Sequence, residues 1–88
     1  GVGMYTLRFA KSAQKSLLRI PGGIATRMLA ELKQIAAQPS AYRGDWKPLQ
    51  GADLWRLRVG DWRAICEMRE GELLILVVKI ATRGDVYK

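Results

Sequence analysis

The run Leu73-Leu74-Ile75-Leu76-Val77-Val78 constrains the fold of this chain more than any other feature. It is far shorter than the ~20 apolar residues that a membrane-spanning helix needs. It also lacks the polar alternation of a strand with one wet face. Such a segment reads as a strand inside a sheet, covered on both faces over part of its length. A chain of 88 residues has room for a single small core around that strand. The domain is read as residues 4–88, since Gly1-Val2-Gly3 ahead of Met4 looks like a cloning remnant.

The rest of the chain supplies the layers. Met4 to Phe9, where Tyr5, Leu7 and Phe9 alternate with Thr6 and Arg8, reads as a first strand. Ala10, Ala13, Leu17 and Ile20 predict a helix over Lys11–Arg19 whose other face carries Lys11, Lys15 and Arg19. Pro21-Gly22-Gly23 breaks it. Ile24, Met28, Leu32 and Ile35 predict a second helix to Ala37, ended by Pro39. Ser40 to Gly51 shows no period and reads as a loop carrying Arg43, Trp46 and Lys47. Strands are expected over Leu54–Val59, Trp62–Arg69 and Glu72–Ile80, with a turn at Glu70-Gly71. The order β-α-α-β-β-β implies an α+β domain, with two helices on one face of a curved, largely antiparallel four-stranded sheet.

Gly60-Asp61 sets the register of the central hairpin. The pair suits a two-residue type II′ turn, because glycine accepts positive φ at the first turn position. That turn opposes Val59 with Trp62, Arg58 with Arg63, Leu57 with Ala64 and Arg56 with Ile65. Opposed residues share a face. Trp55, Leu57, Val59, Trp62, Ala64 and Cys66 therefore line one face, and Arg56, Arg58 and Arg63 the other, with Ile65 and Glu67 farther along. Opposed like charges cost up to ~1 kcal/mol. An anion held between the guanidinium groups offsets that cost, and arginine grips phosphate through two donors at once. The competing reading is a solvated face with splayed side chains, which Glu67 helps to neutralise.

The overall balance agrees with the first of these readings. Fifteen Lys and Arg against eight Asp and Glu give +7, which favours a polyanionic or acidic partner, although solubility alone is the bland alternative. Cys66, the one cysteine, falls on the apolar face and reads as core filling rather than a nucleophile. Trp55 and Trp62 read as core for the same reason, while Trp46 suits either packing or stacking on a base. Histidine is absent, the aspartates show no ligand-like spacing, and no glycine loop for phosphate precedes a helix, so no metal and no cofactor are expected. The lack of a membrane span and the lone cysteine suit a cytoplasmic protein that does not bind membranes.

With these residues in view, the chain resembles the RelE/ParE toxin superfamily from Met4 onward. The resemblance is carried by Leu49-Gln50-Gly51, by the segment Leu54 to Ile65, and by Arg83-Gly84-Asp85-Val86-Tyr87, in this order after a β-α-α start. It implies a cytoplasmic toxin of a type II toxin–antitoxin pair, neutralised by a cognate antitoxin, in a complex that binds operator DNA. Its RelE branch implies cleavage of mRNA in the ribosomal A site. The positions matching the catalytic residues of that branch are Arg56, Arg58, Arg63, Arg83 and Tyr87, with Lys47, Trp46 and Arg43 as loop candidates for holding the substrate. The ParE branch instead implies a toxin that inhibits DNA gyrase by binding, without ribonuclease chemistry.

Two departures bear on the chemistry. The best-known RelE enzymes carry Lys where this chain has Arg56 and Arg58, and arginine stays protonated in proteins. Many relatives carry His where this chain has Thr82. Tyr87 is then the family-matched residue able to lose a proton, with Lys47 as the second candidate for the base.

Overall fold

The computed structural model describes residues 4–50, 53–82 and 84. Arg83 and Tyr87 lie outside them. Strand β1 (Thr6–Phe9) leads into helices α1 (Lys11–Arg19) and α2 (Gly22–Ala37). Strands β2 (Trp46–Pro48), β3 (Leu54–Val59), β4 (Trp62–Arg69) and β5 (Leu74–Thr82) follow. The described residues form one five-stranded sheet in the order β1-β5-β4-β3-β2. The apolar run thus enters an interior strand, parallel to β1 on one side and antiparallel to β4 on the other.

The expected four strands become five. The extra one, β2, lies in the segment read as a loop and pairs antiparallel with β3. Three residues are too few to show a period of two. Pro48, which has no N–H to give a neighbour, is tolerated because β2 is an edge strand. Beyond it, the Leu49 N–H donates to the Leu54 carbonyl at 2.8 Å.

The two helices cover one sheet face. Ala13 and Ile20 of the first helical segment and Met28, Leu32, Ile35 and Ala36 of the second are buried against Leu57, Val59, Ala64, Cys66, Met68, Ile75, Val77 and Ile80. Neither helix has a side-chain N-cap. Their ends are set by Pro21 and Pro39, and tertiary burial of one face does the stabilising. Ser12 in the first turn of α1 donates to the Val78 carbonyl at 3.0 Å, pinning the helix to β5.

Val78 marks an irregularity in β5. Ile65 stands opposite Lys79, yet Cys66 stands opposite Val77, so one residue is extra on that strand. The bulge shifts the buried positions from Ile75 and Val77 to Ile80. Lys79 is thereby turned to the register of Ile65, on the face away from the helices. On this face Leu74, Leu76 and Val78 are only half-buried, whereas Ile75 and Val77 are fully buried beneath the helices.

The turn before β5 is a 3-10 segment, Glu70–Glu72, that delays the strand to Leu74. Leu73 closes it in the left-handed region at φ 49, ψ 49, with its side chain substantially exposed. A side chain bearing a Cβ costs ~1–2 kcal/mol there, and glycine avoids that cost at an entropic penalty of its own. Leu73→Gly is expected to raise stability by about 0.5–1 kcal/mol, read as a thermal midpoint a few degrees higher. An unchanged or lower midpoint means that the leucine's residual packing outweighs the strain.

Candidate functional site

The hairpin folds in the register that its turn dictates. Gly60 has φ 62 and Asp61 does not share a positive φ, the pattern of a type II′ rather than a type I′ turn. Leu54 to Val59 pair with Glu67 to Trp62, with Arg58 directly across from Arg63. Leu57, Val59, Ala64 and Cys66 are buried under the helices. Arg56, Arg58 and Arg63 occupy the other face.

These three arginines differ in environment. Arg58 is about half exposed, at 52% of its side chain. Arg56 is mostly covered, and its Nε is buried with no hydrogen-bond partner among the described residues. Arg63 is 93% buried, a rare state for a charge, and no carboxylate among the described residues pairs with it. Its Nη1 donates to the Gly60 and Trp62 carbonyls at 3.3 and 3.4 Å. Arg58 Nε donates to the same Gly60 oxygen at 3.2 Å. The turn carbonyl therefore holds two opposed guanidinium groups together, supplying part of what an anion would. The small Ala81 of β5 stands directly opposite Arg63.

Lys47 joins the cluster through β2. It pairs with Arg56 and so shares the arginine face. Trp46 does not. It pairs with Leu57, turns to the helix side and stacks on Trp55, with ring centroids 5.1 Å apart and planes at 16°. Arg43 is exposed on the segment before β2. Cys66 is buried in the core, where loss of hydration pushes its thiol up to about 12, so it stays protonated at neutral pH.

Asp45 is the residue at this face that sequence spacing does not reveal. Its backbone carbonyl accepts the Arg58 N–H at 3.0 Å, extending the β2–β3 ladder by one rung. Its carboxylate then reaches both neighbouring cations: Oδ1 lies 2.5 Å from Arg56 Nη2, and Oδ2 lies 3.8 Å from Arg58 Nη1. Glu67 does not neutralise the trio, since it pairs with Arg69 at 2.5 Å.

A cleft of about 390 Å³ opens beside Asp45, between α2 and the β2–β3 edge. Arg27, Glu31, Tyr42, Asp45 and Arg58 line it with glycine backbone. The Tyr42 hydroxyl donates to Glu31, and its ring lies so close to Gly44 that a Cβ there would collide with it. Burial first, then the bond to Glu31 and the charge of Glu31, raise the Tyr42 pKa well above the ordinary phenol value. Tyr42 is therefore a lock between the helix layer and the sheet edge, and is unsuited to act as a base.

Among the described residues no group of three His, Cys, Asp or Glu side chains could hold a metal ion. No helix among the described residues is long and apolar enough to cross a membrane.

Comparison with known proteins gives three results. Residues 7–87 match the model of the ParE toxin of type II toxin–antitoxin systems, parDE. No curated protein matches in sequence. Solved structures do match over nearly the whole chain. The archaeal RelE-RelB complex from Pyrococcus horikoshii OT3 has a TM-score of 0.81 and 26% identity, covering 94% of this chain and 99% of that one. The RelB-RelE antitoxin-toxin complex from Methanococcus jannaschii has 0.74 and 26%, covering 91% and 94%. A mutant of the E. coli toxin RelE in the free state has 0.80 and 16%, covering 97% and 92%. At that identity the last likeness shows the fold alone.

The Tyr42 lock has a pH signature. An unfolded tyrosine loses its proton near ~10, whereas the folded one holds it to higher pH. The lock's contribution is therefore constant below about pH 10 and is lost as pH rises above it. Thermal midpoints of Tyr42→Phe should fall less steeply than wild type above that pH. Parallel curves would show that Tyr42 ionises alike in both states.

Proposed function

The chain belongs to the ParE toxin family, and so to the toxins of type II toxin–antitoxin systems, and from this premise we propose that it acts as a ribosome-dependent mRNA endoribonuclease. It works in the cytoplasm without a metal, inhibits translation and is neutralised by a cognate antitoxin. The observation that carries this reading is the convergence of Arg58 and Arg63 on the Gly60 carbonyl, flanked by Arg56 and Lys47 on the sheet face away from the helices. Such a row of donors matches the oxygens of a phosphodiester. The antitoxin assignment is supported by the likeness to the Pyrococcus horikoshii and Methanococcus jannaschii toxins, which were solved with RelB. Binding of operator DNA by the toxin–antitoxin complex belongs to the same proposal.

The chemistry is attack of the 2′-OH on the adjacent phosphorus. A 2′-oxygen–phosphorus bond forms, the bond to the 5′-oxygen breaks, and the products are a 2′,3′-cyclic phosphate and a 5′-OH. The proton leaves the 2′-OH for the base, and another is delivered to the departing oxygen. Arg56, Arg58 and Arg63 stabilise the charge of the phosphorane. Arg83 assists the leaving group. Tyr87 takes the 2′ proton, and Lys47 is the alternative base. Lys47 and Arg43 hold the substrate, whereas Trp46, stacked on Trp55 on the helix side of the sheet, supports the strand that carries Lys47 instead of meeting the substrate.

A second reading has its own support. The matching family model is that of ParE toxins, and ParE-like toxins inhibit DNA gyrase by binding it.

Two experiments test these readings. Arg58→Ala should abolish most toxicity on induction without antitoxin. Its thermal midpoint should be equal to or above wild type, because Arg58 is half exposed and opposes Arg63. A toxicity loss that tracks a large fall in midpoint makes Arg58 structural. Tyr87→Phe should slow single-turnover mRNA cleavage on ribosomes by ~10²–10⁴-fold while leaving ribosome binding intact. A rate within about threefold of wild type moves the base role to Lys47. If wild type leaves mRNA intact on ribosomes and inhibits gyrase, the second reading replaces the first.

A further inference from the structure

Asp45 sits where a ligand's phosphate belongs. Its two carboxylate oxygens face Arg56 and Arg58, the geometry in which a phosphate would bridge the same two groups. Its backbone is tied to Arg58, so the carboxylate cannot leave by moving the chain. It can leave only by rotating its side chain, which is about one-third exposed. The cleft beside it offers a destination. Arg27, on the opposite wall, makes no ion pair with any described residue.

We propose that Asp45 is an exchangeable counter-ion: it bridges Arg56 and Arg58 in the free toxin and swings toward Arg27 when a phosphodiester takes its place. The exchange rests on the reading of the arginine face as a phosphate site, but it does not depend on whether RNA is cut. In the free protein Asp45 offsets repulsion within the arginine row and holds Arg56 and Arg58 in place. In the complex its charge would repel the phosphate unless it moved, and Arg27 gives it a new partner. Asp45 is a positioning residue in this scheme, and it sets the affinity of the site for phosphate.

The test uses the full chain and a short fluorescein-labelled single-stranded oligodeoxynucleotide, which lacks the 2′-OH and cannot be cleaved. Asp45→Asn keeps the shape and removes the charge. It should bind the probe roughly fivefold more tightly at low salt, as loss of one nearby opposing charge implies. The slope of log K against log salt should steepen by ~0.7, since one phosphate contact no longer displaces an internal anion. Arg27→Gln should weaken binding in the wild-type background and do so much less in Asp45→Asn, a non-additivity that direct attraction between Arg27 and the probe would not give. Asp45→Ser takes the place of Asp45→Asn should the latter not fold. A purely structural Asp45 predicts weaker binding that follows a lower thermal midpoint, and this result overturns the exchange. Additive effects of the two substitutions overturn the role of Arg27. Wild type binding the probe without tighter binding by Asp45→Asn overturns the exchange alone, whereas no binding by wild type at low salt overturns the phosphate-site reading beneath it.

Discussion

The pairing register of β3 with β4 is the constraint on which the other features depend. A slip of one residue would turn Leu57, Val59, Ala64 and Cys66 to the open side and drive Arg56, Arg58 and Arg63 under the helices. The apolar set would lose its burial, at roughly 1.5–3 kcal/mol for each large side chain. The guanidinium groups would enter a core that offers no counter-charge. Gly60 makes the correct register accessible, and the two faces make every neighbouring register costly. Placement of the functional cations and formation of the core are one event.

Electrostatics at the open face follow from that placement. Directly opposed arginines repel, and the protein answers with polar groups from its own turn and edge. The Gly60 carbonyl receives both Arg58 and Arg63, while Asp45 receives Arg56 and lies near Arg58. These partners restrain the cations without satisfying them fully. Among the described residues Arg56 Nε has no partner, and the buried Arg63 meets carbonyl oxygens alone. The mixture of restraint and residual demand suits a surface that must stay folded when empty and still favour an anion.

The helix layer performs a different task. Lacking capping side chains, α1 and α2 are held by their buried face and by contacts such as Ser12 to Val78. The bulge at Val78 keeps β5 under α1 while turning Lys79 toward the open face. On the far edge, Tyr42, bonded to Glu31 and packed on Gly44, ties α2 to the segment that delivers Asp45. A contact in the helix layer thereby helps to fix the geometry of the arginine row.

The helices, the hairpin and the arginine face could be read from the residues because each is governed by local rules. Period 3.6 located α1 and α2, period 2 located β3 and β4, and the Gly60 turn assigned the faces. The interior position of β5 followed from its continuous apolar run. Edge strand β2 had no such signature, because its three residues become a strand only by hydrogen bonding to β3. Trp46, Lys47 and Asp45 acquired their places through that pairing: Trp46 against Trp55, Lys47 beside Arg56, Asp45 between two arginines. The membership of Asp45 in the site joins residues eleven and thirteen positions apart, and such contacts leave no periodic trace in the sequence. The sequence by itself determined which faces are apolar and which are cationic, since side-chain alternation is a property of the backbone. Only the tertiary structure decided which carboxylate meets those cations, because that depends on how a non-periodic segment docks against an already formed sheet.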